Sequence, residues 1–195
     1  MNSVARNAYI LVGGRSRRMG QPKPEVPFGD TTLLGRVVSA AGAAFEHVIA
    51  VQRPGGDAAA IETIFEEPHE GEAPIFGVAA AIRHAEAKCF VIAVDYPLLT
   101  AVALRALRAS FEASEAPALV PVWNGIPQVL CAGYSPALLP QIDAKLAARQ
   151  YDLQSLAGAA ERVEVSGETW RSVNTIEELQ EVRRWYEQQR LLAFR

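Results

Sequence analysis

Apolar and polar positions along this chain switch between two periods. Short continuous apolar runs, which buried strands produce, alternate with stretches where apolar residues recur every three to four positions, as in amphipathic helices. Residues 8–12, 48–51 and 90–94 read as strands, with 61–65 as a further one. Residues 32–45 predict a helix with Leu33, Leu34, Val37, Val38 and Ala41 on one face, and 75–85 and 102–111 predict two more. Later, 118–123 and 128–134 read as strands joined by Asn124-Gly125-Ile126-Pro127, and Asn-Gly between apolar runs signals a hairpin. A helix over 138–148 and a short strand over 162–165 follow. The last helix starts at Thr175, where Thr175-Ile176-Glu177-Glu178 matches a capping box, and Leu179, Val182 and Tyr186 give it an apolar face.

This alternation predicts one domain over residues 1–195, a three-layer α/β/α arrangement with a mostly parallel, mixed central sheet. The length suits one such domain. In open sheets of this kind the ligand site lies beyond the carboxyl ends of the strands. Two segments fall there, the loop after Val12 and Asp95 after Val94.

Charge sharpens the picture at the first of these. The chain carries a net −3, too little to suggest a nucleic-acid or membrane partner. Yet Arg15, Arg17, Arg18 and Lys23 lie together with no acid among them, and the remaining 15 basic residues face 22 acidic ones, about −7. A local basic loop on an acidic protein suits a small anionic ligand better than a duplex. Cys89 and Cys131 are far apart, which fits neither a disulfide framework nor a zinc site, and both read as buried thiols. No signal-peptide pattern stands at Met1 and no apolar run approaches the ~20 residues of a membrane span, so a cytoplasmic protein is expected. His47, His69 and His84 have no ligand-like spacing and read as surface or packing residues, and Trp123, Trp170 and Trp185 as core or interface.

The loop reads Leu11-Val12-Gly13-Gly14-Arg15-Ser16-Arg17-Arg18-Met19-Gly20-Gln21-Pro22-Lys23. Glycines let backbone N–H groups approach phosphate oxygens, arginine offers a donor fork and lysine a mobile charge. The Gly-Lys-Ser/Thr ending of a P-loop is missing, and so is the dinucleotide glycine spacing. A solvated run of surface charge is the competing reading. Asp95, at the mouth of a buried strand, suits a Mg²⁺ that keeps its waters and bridges phosphates, or equally an N-cap before Pro97. Glu62, Glu66, Glu67, Glu70 and Glu72 form an acidic stretch that reads as solvated on composition alone. Asn174 or Thr175 reads as a cap of the last helix.

Taken together, these motifs resemble the nucleotidyltransferases related to molybdenum cofactor guanylyltransferase. Leu11, Gly13, Gly14, Ser16, Arg18, Met19, Gly20 and Lys23 match the family's loop. Val94-Asp95-Tyr96-Pro97-Leu98-Leu99 matches its Cys-Asp-Met-Pro segment, and Ala73-Pro74-Ile75-Phe76-Gly77 its Gly-Pro-Leu-x-Gly. Pro127-Gln128 through Tyr134 and Ser172-Val173-Asn174-Thr175 match two later segments. The resemblance implies a Rossmann-like nucleotidyltransferase domain that transfers GMP from GTP to (Mo-)molybdopterin and releases pyrophosphate. It implies Arg18, Lys23 and Asp95 as catalytic residues and Asp95 as the Mg²⁺ ligand. It further implies Leu11, Gly13, Gly14, Ser16, Lys23, Glu67 and Asn174 around the nucleotide, with Glu66 or Glu67 replacing a family aspartate. GTP and molybdopterin are the implied small-molecule substrates, with transient contact to molybdenum-insertion or acceptor proteins, and with no nucleic acid and no membrane. The related cytidylyltransferases carry Ala-Gly at Gly13-Gly14, which tilts the base toward guanine. CTP, a sugar-phosphate acceptor, or a non-catalytic nucleotide-binding module are the other readings. Ser172, Ala73 and the missing aspartate favour the last of these.

Overall fold

The computed structural model describes residues 4–13, 22–56 and 60–193. The chain runs through β1 (Asn7–Leu11), a small ribbon of β2 (Pro27–Phe28) and β3 (Thr31–Thr32), α1 (Leu33–Gly42), β4 (His47–Gln52) and β5 (Thr63–Phe65). It continues through α2 (Pro74–Ala85), β6 (Cys89–Ala93), α3 (Ala101–Ala113), β7 (Ala118–Trp123), β8 (Ile126–Pro127) and β9 (Cys131–Tyr134). The last elements are α4 (Leu139–Ala147), β10 (Glu161–Val165) and α5 (Ile176–Ala193). The ribbon is absent from the apolar pattern, because two-residue strands leave no period to read.

Among the described residues the main sheet runs β10-β7-β9-β6-β1-β4-β5, with β8 paired to β7. β1 is parallel to both β4 and β6. The chain builds outward from β1 to β4 and β5, then returns to the other side of β1 as β6. That reversal opens a crevice between the carboxyl ends of β1 and β6, the switch point at which such sheets bind ligands.

Alternation along β1 supplies two cores. Ala8 and Ile10 pack with Val37 and Ala41 of α1 and with Leu104, Leu107 and Phe111 of α3. Tyr9 and Leu11 pack on the other face with Ile75, Val78 and Ile82 of α2 and Ile142 of α4. The result is the expected α/β/α layering with a mostly parallel, mixed sheet. Helix starts follow their capping residues: Thr32 accepts from the Gly35 N–H at 3.1 Å and Thr100 from Ala103 at 3.2 Å. Thr175 and Glu178 exchange reciprocal hydrogen bonds, each 3.1 Å, completing the capping box at α5.

A third cluster matters most for the site. Val26, Phe28, Leu33, Leu98, Val173, Leu179 and Val182 are buried together, with Trp185 and Tyr186 packed against them. It binds the ribbon, the segment after β6 and the face of α5 into one seat. Arg36 reinforces it by donating to the Pro97 carbonyl at 3.3 Å and the Tyr186 hydroxyl at 3.1 Å.

The hairpin departs from expectation. Asn124 and Gly125, with φ of 50° and 76°, make the tight turn, but the returning strand over 128–134 is broken. From Val122↔Pro127 to Leu119↔Gly133 the chain steps back three residues on β7 and forward six on its partner. The surplus of three residues is taken up by a bulge at 128–130, closed by the Cys131 N–H donating to the Gln128 carbonyl at 2.9 Å, before β9 inserts between β7 and β6. The bulge delivers Gln128, whose Oε1 accepts from the Tyr96 hydroxyl at 3.0 Å.

β9 also sets a steric limit. A Cβ on Gly133 would fall 2.5 Å from Cδ1 of the fully buried Phe111. Gly133→Ala should therefore lower unfolding stability by about 1–3 kcal/mol through overpacking, read as a lower urea midpoint with an unchanged slope.

Candidate active site

β1 ends at the crevice, and Val12 extends its ladder by donating to the Val51 carbonyl at 3.0 Å. Gly13 comes next and leaves no room for a side chain: a Cβ there would sit 2.7 Å from Cγ of Arg53 and 3.2 Å from Oε1 of Gln52. Gly14, Ser16 and Arg18 lie outside the described residues, as do Arg15, Arg17, Met19 and Gly20. The chain is described again from Pro22, where a 3-10 turn over Lys23–Glu25 is pinned below by Val26.

That turn brings Lys23 to Asp95. Nζ of Lys23 lies 2.7 Å from Oδ1 of Asp95, with the two side chains only 14% and 21% exposed. Asp95 stands two residues past β6, and its carbonyl accepts from the Val173 N–H at 2.8 Å. Burial is the main force on its carboxyl and pushes the pKa up. Lys23 pulls it back down, and the nearby Glu178 carboxylate raises it further. The site thus holds an acid whose ionised form depends on a neighbouring cation.

Asn174 follows Val173 at the same mouth. Its N–H donates to Glu178 at 2.6 Å and its amide to Ser172 Oγ at 3.4 Å, and its side chain is exposed. The cap of α5 itself is Thr175.

The acidic stretch sorts into two different environments. Glu66 continues β5 by donating its N–H to the Gln52 carbonyl at 2.9 Å. Its Oε1 lies 3.0 Å from where a Cβ on Gly77 would stand, and Leu11 Cδ2 lies 2.8 Å from the same point. Leu11, Glu66 and the first turn of α2 therefore meet at the end of β1. Glu67, the expected nucleotide residue, is not brought there. Its side chain is 76% exposed and lies 4.0 Å from Arg83, which itself pairs with Asp143 at 2.5 Å. Successive side chains leaving an extended segment point to opposite sides, so only one of the two glutamates can turn inward.

Glu66 has a partner that the sequence reading left as a packing residue. Nε2 of His69 lies 2.7 Å from Glu66 Oε2 with both side chains 9% exposed, and the imidazole stacks on Phe76 at 3.5 Å and 2°. An i, i+3 acid–histidine spacing is the available signal, but it is too common to single out. Beside this pair a cleft of about 710 Å³ runs between Gln52–Gly56 and Pro68–Glu72. Arg53 ties its walls by bonding the Gly71 carbonyl and pairing with Glu72 at 3.2 Å. Both cysteines are free and buried.

For metal, Asp95 offers one hard oxygen donor in a partly open position. Among the described residues no group of three or more His, Cys, Asp and Glu side chains is gathered to hold an ion. Among the same residues no helix is long and apolar enough to cross a membrane.

Gly13 at the end of β1 and the Lys23–Asp95 pair just past β6 stand at the carboxyl end of a doubly wound sheet, where α/β enzymes of this class take their ligands. The chain matches the MobA-like NTP transferase domain over residues 8–165 and belongs to that family, which makes it a nucleotidyltransferase. It is 34% identical over 134 residues to a probable molybdenum cofactor guanylyltransferase of Bacillus licheniformis, covering 64% of this chain and 66% of that protein. It is 29% identical over 167 residues to one of Mycobacterium marinum, covering 82% and 83%. In fold it is similar to the crystal structure of molybdopterin-guanine dinucleotide biosynthesis protein A from Archaeoglobus fulgidus. That match has a TM-score of 0.79 and 23% identity, over 93% of this chain and 99% of that one.

The buried ion pair predicts a pH signature. Lys23→Met should leave Asp95 without its cation and lower stability at neutral pH by about 1–3 kcal/mol, less than the ~3–5 of a fully buried pair. The Asp95 pKa is already raised in the folded protein and would rise further. A group with a raised folded pKa favours folding below its unfolded value and loses that contribution as pH rises through the folded one. The gap between wild type and variant in urea midpoint should therefore widen as pH rises and close as it falls.

Proposed function

We propose that this nucleotidyltransferase transfers GMP from GTP to the terminal phosphate of molybdopterin, with or without bound molybdenum, and releases pyrophosphate. The observation that carries the reading is the Lys23–Asp95 pair, 2.7 Å apart at the joined ends of β1 and β6, in a chain of this family. Relatives named as guanylyltransferases and the Gly13-Gly14 pair favour GTP.

The reaction is read as an in-line displacement at the α-phosphorus. A phosphate oxygen of the acceptor attacks, the bond to the bridging oxygen breaks, and pyrophosphate leaves with that electron pair. The nucleophile is already an anion, so the chain need not supply a strong base. Its task is to bring two anions together and neutralise the charge that develops. Gly13, packed too closely on Arg53 to carry a side chain, begins the loop, and Gly14, Ser16 and Arg18 are assigned to the phosphates by its motif. Lys23 is a mobile ammonium beside the crevice, ready to move from Asp95 to the triphosphate.

Asp95 fits a Mg²⁺ ion. It is a single hard oxygen donor, partly open, already holding a cation, and Mg²⁺ usually keeps several waters and takes substrate phosphates as ligands. When bound there the ion supplies charge neutralisation at the α-phosphate. Leu11, Glu66 and Asn174 are assigned to the nucleotide side of the crevice, with Glu66 taking the place first given to Glu67. The finished cofactor is proposed to pass to an insertion or acceptor protein by transient contact.

Pyrophosphate release with Mg²⁺, molybdate-loaded molybdopterin and GTP or CTP tests the reading. GTP alone should support turnover. Turnover with CTP alone would overturn the base assignment, and none with either, despite triphosphate binding, would leave another acceptor or a non-catalytic module. Lys23→Ala should cut the rate by about 10²–10³. Asp95→Asn should weaken the response to added Mg²⁺.

A further inference from the structure

His69 is an unusual occupant of its position. Its ring lies flat on Phe76 at 3.5 Å, a place that a phenyl ring would fill as well. Nδ1 is buried and has no hydrogen-bond partner among the described residues. An orphaned buried nitrogen opposes folding, so packing alone favours phenylalanine here. The imidazole offers something a phenyl ring lacks, the Nε2 donor 2.7 Å from Glu66 Oε2. That bond occupies one carboxylate oxygen and fixes the rotation of the group. The other, Oε1, is turned to Leu11 and Gly77 at the end of β1. His69 also forms part of the wall of the adjoining 710 Å³ cleft.

We propose that His69 is a positioning residue for nucleotide selection: stacked on Phe76, it aims the Glu66 carboxylate at a hydrogen-bond donor of the nucleoside, a ribose hydroxyl or a base N–H. The inference rests on the nucleotidyltransferase reading and adds to it a residue that does not touch substrate. A long glutamate side chain would otherwise spend its rotamer freedom on each binding event, and the stacked imidazole removes that freedom beforehand. The contribution belongs to nucleotide affinity and not to the displacement step.

A double-mutant cycle on triphosphate binding, measured by calorimetry with Mg²⁺, tests this. His69→Phe keeps the stack and removes the donor, and His69→Leu replaces it if the phenylalanine variant does not fold. His69→Gln returns an N–H donor, and Glu66→Gln removes the carboxylate. His69→Phe should weaken GTP binding about tenfold, the value of one charge-assisted hydrogen bond, and raise KM with little change in kcat. His69→Gln should recover most of that loss. The double variant should bind no more weakly than Glu66→Gln alone, because one residue acts through the other. Repeating the comparison with inosine triphosphate, which lacks the 2-amino group but keeps N1–H, and with 2′,3′-dideoxy-GTP names the donor: the His69→Phe penalty disappears for the analogue that lacks it, and a penalty kept with both assigns N1–H. Wild-type affinity in His69→Phe, or fully additive losses in the double variant, would overturn the positioning role while leaving the nucleotidyltransferase reading intact. A wild-type protein that binds no triphosphate would overturn both.

Discussion

Asp95 is a carboxylate set where the protein surrounds it more than water does, and much of the architecture serves to keep it there. Burial works against its ionised form, and the ammonium of Lys23 offsets that at 2.7 Å. Neither residue is held by its own strand. Lys23 hangs from a turn rooted through Val26, and Asp95 is bridged through Val173 to the start of α5. The cluster of Val26, Phe28, Leu33, Leu98, Val173, Leu179 and Val182 is what brings these three distant segments together. The C-terminal helix, remote from the glycine-rich loop in sequence, is therefore part of the foundation of the Lys23–Asp95 pair. An acid that depends on a replaceable cation suits a reaction whose substrates arrive with their own charge and counter-ions.

The sheet explains why the pair sits at a crevice at all. β1 carries apolar side chains on both faces, so helices must cover both, and the chain must reverse direction of growth around it. The reversal leaves the ends of β1 and β6 side by side. β9, the antiparallel strand next to β6, contributes through its bulge. The Gln128–Tyr96 hydrogen bond fastens the hairpin to the segment that carries Asp95.

The layered fold was legible because it depends on period alone. Runs such as Phe90 to Val94 and the spacing of Leu33, Val37 and Ala41 admit few other readings. Less legible was whatever depends on register between distant segments. Nothing local separates 128–134 into a bulge and a strand, since Val129 to Tyr134 holds no charged residue and no proline, and the break comes from the need to pair β6 and β7 at once. Lys23, Gly13 and Asp95 drew notice through the basic run, the glycine pair and the mouth of a buried strand, while the roles expected of them rested on the family resemblance. Glu66 could not be chosen over Glu67, because one residue's difference on an extended segment is decided by where β4 lies. His69 was passed over for a related reason: stacking on Phe76 is a fact of tertiary structure, and a lone histidine near acids gives no sign of it.

The two cysteines have a practical consequence. Both are fully buried, and burial pushes each thiol up to about 12, so neither is a ready nucleophile in the folded protein. They occupy opposite ends of one ladder, Cys89 across from Tyr134 on β6 and Cys131 across from Ile92 on β9. A thiol reagent reaches them only when that seam opens, so its rate of reaction reports the opening. Because the seam joins the parallel half of the sheet to the hairpin half, unequal labelling of the two would show from which end the molecule begins to unzip.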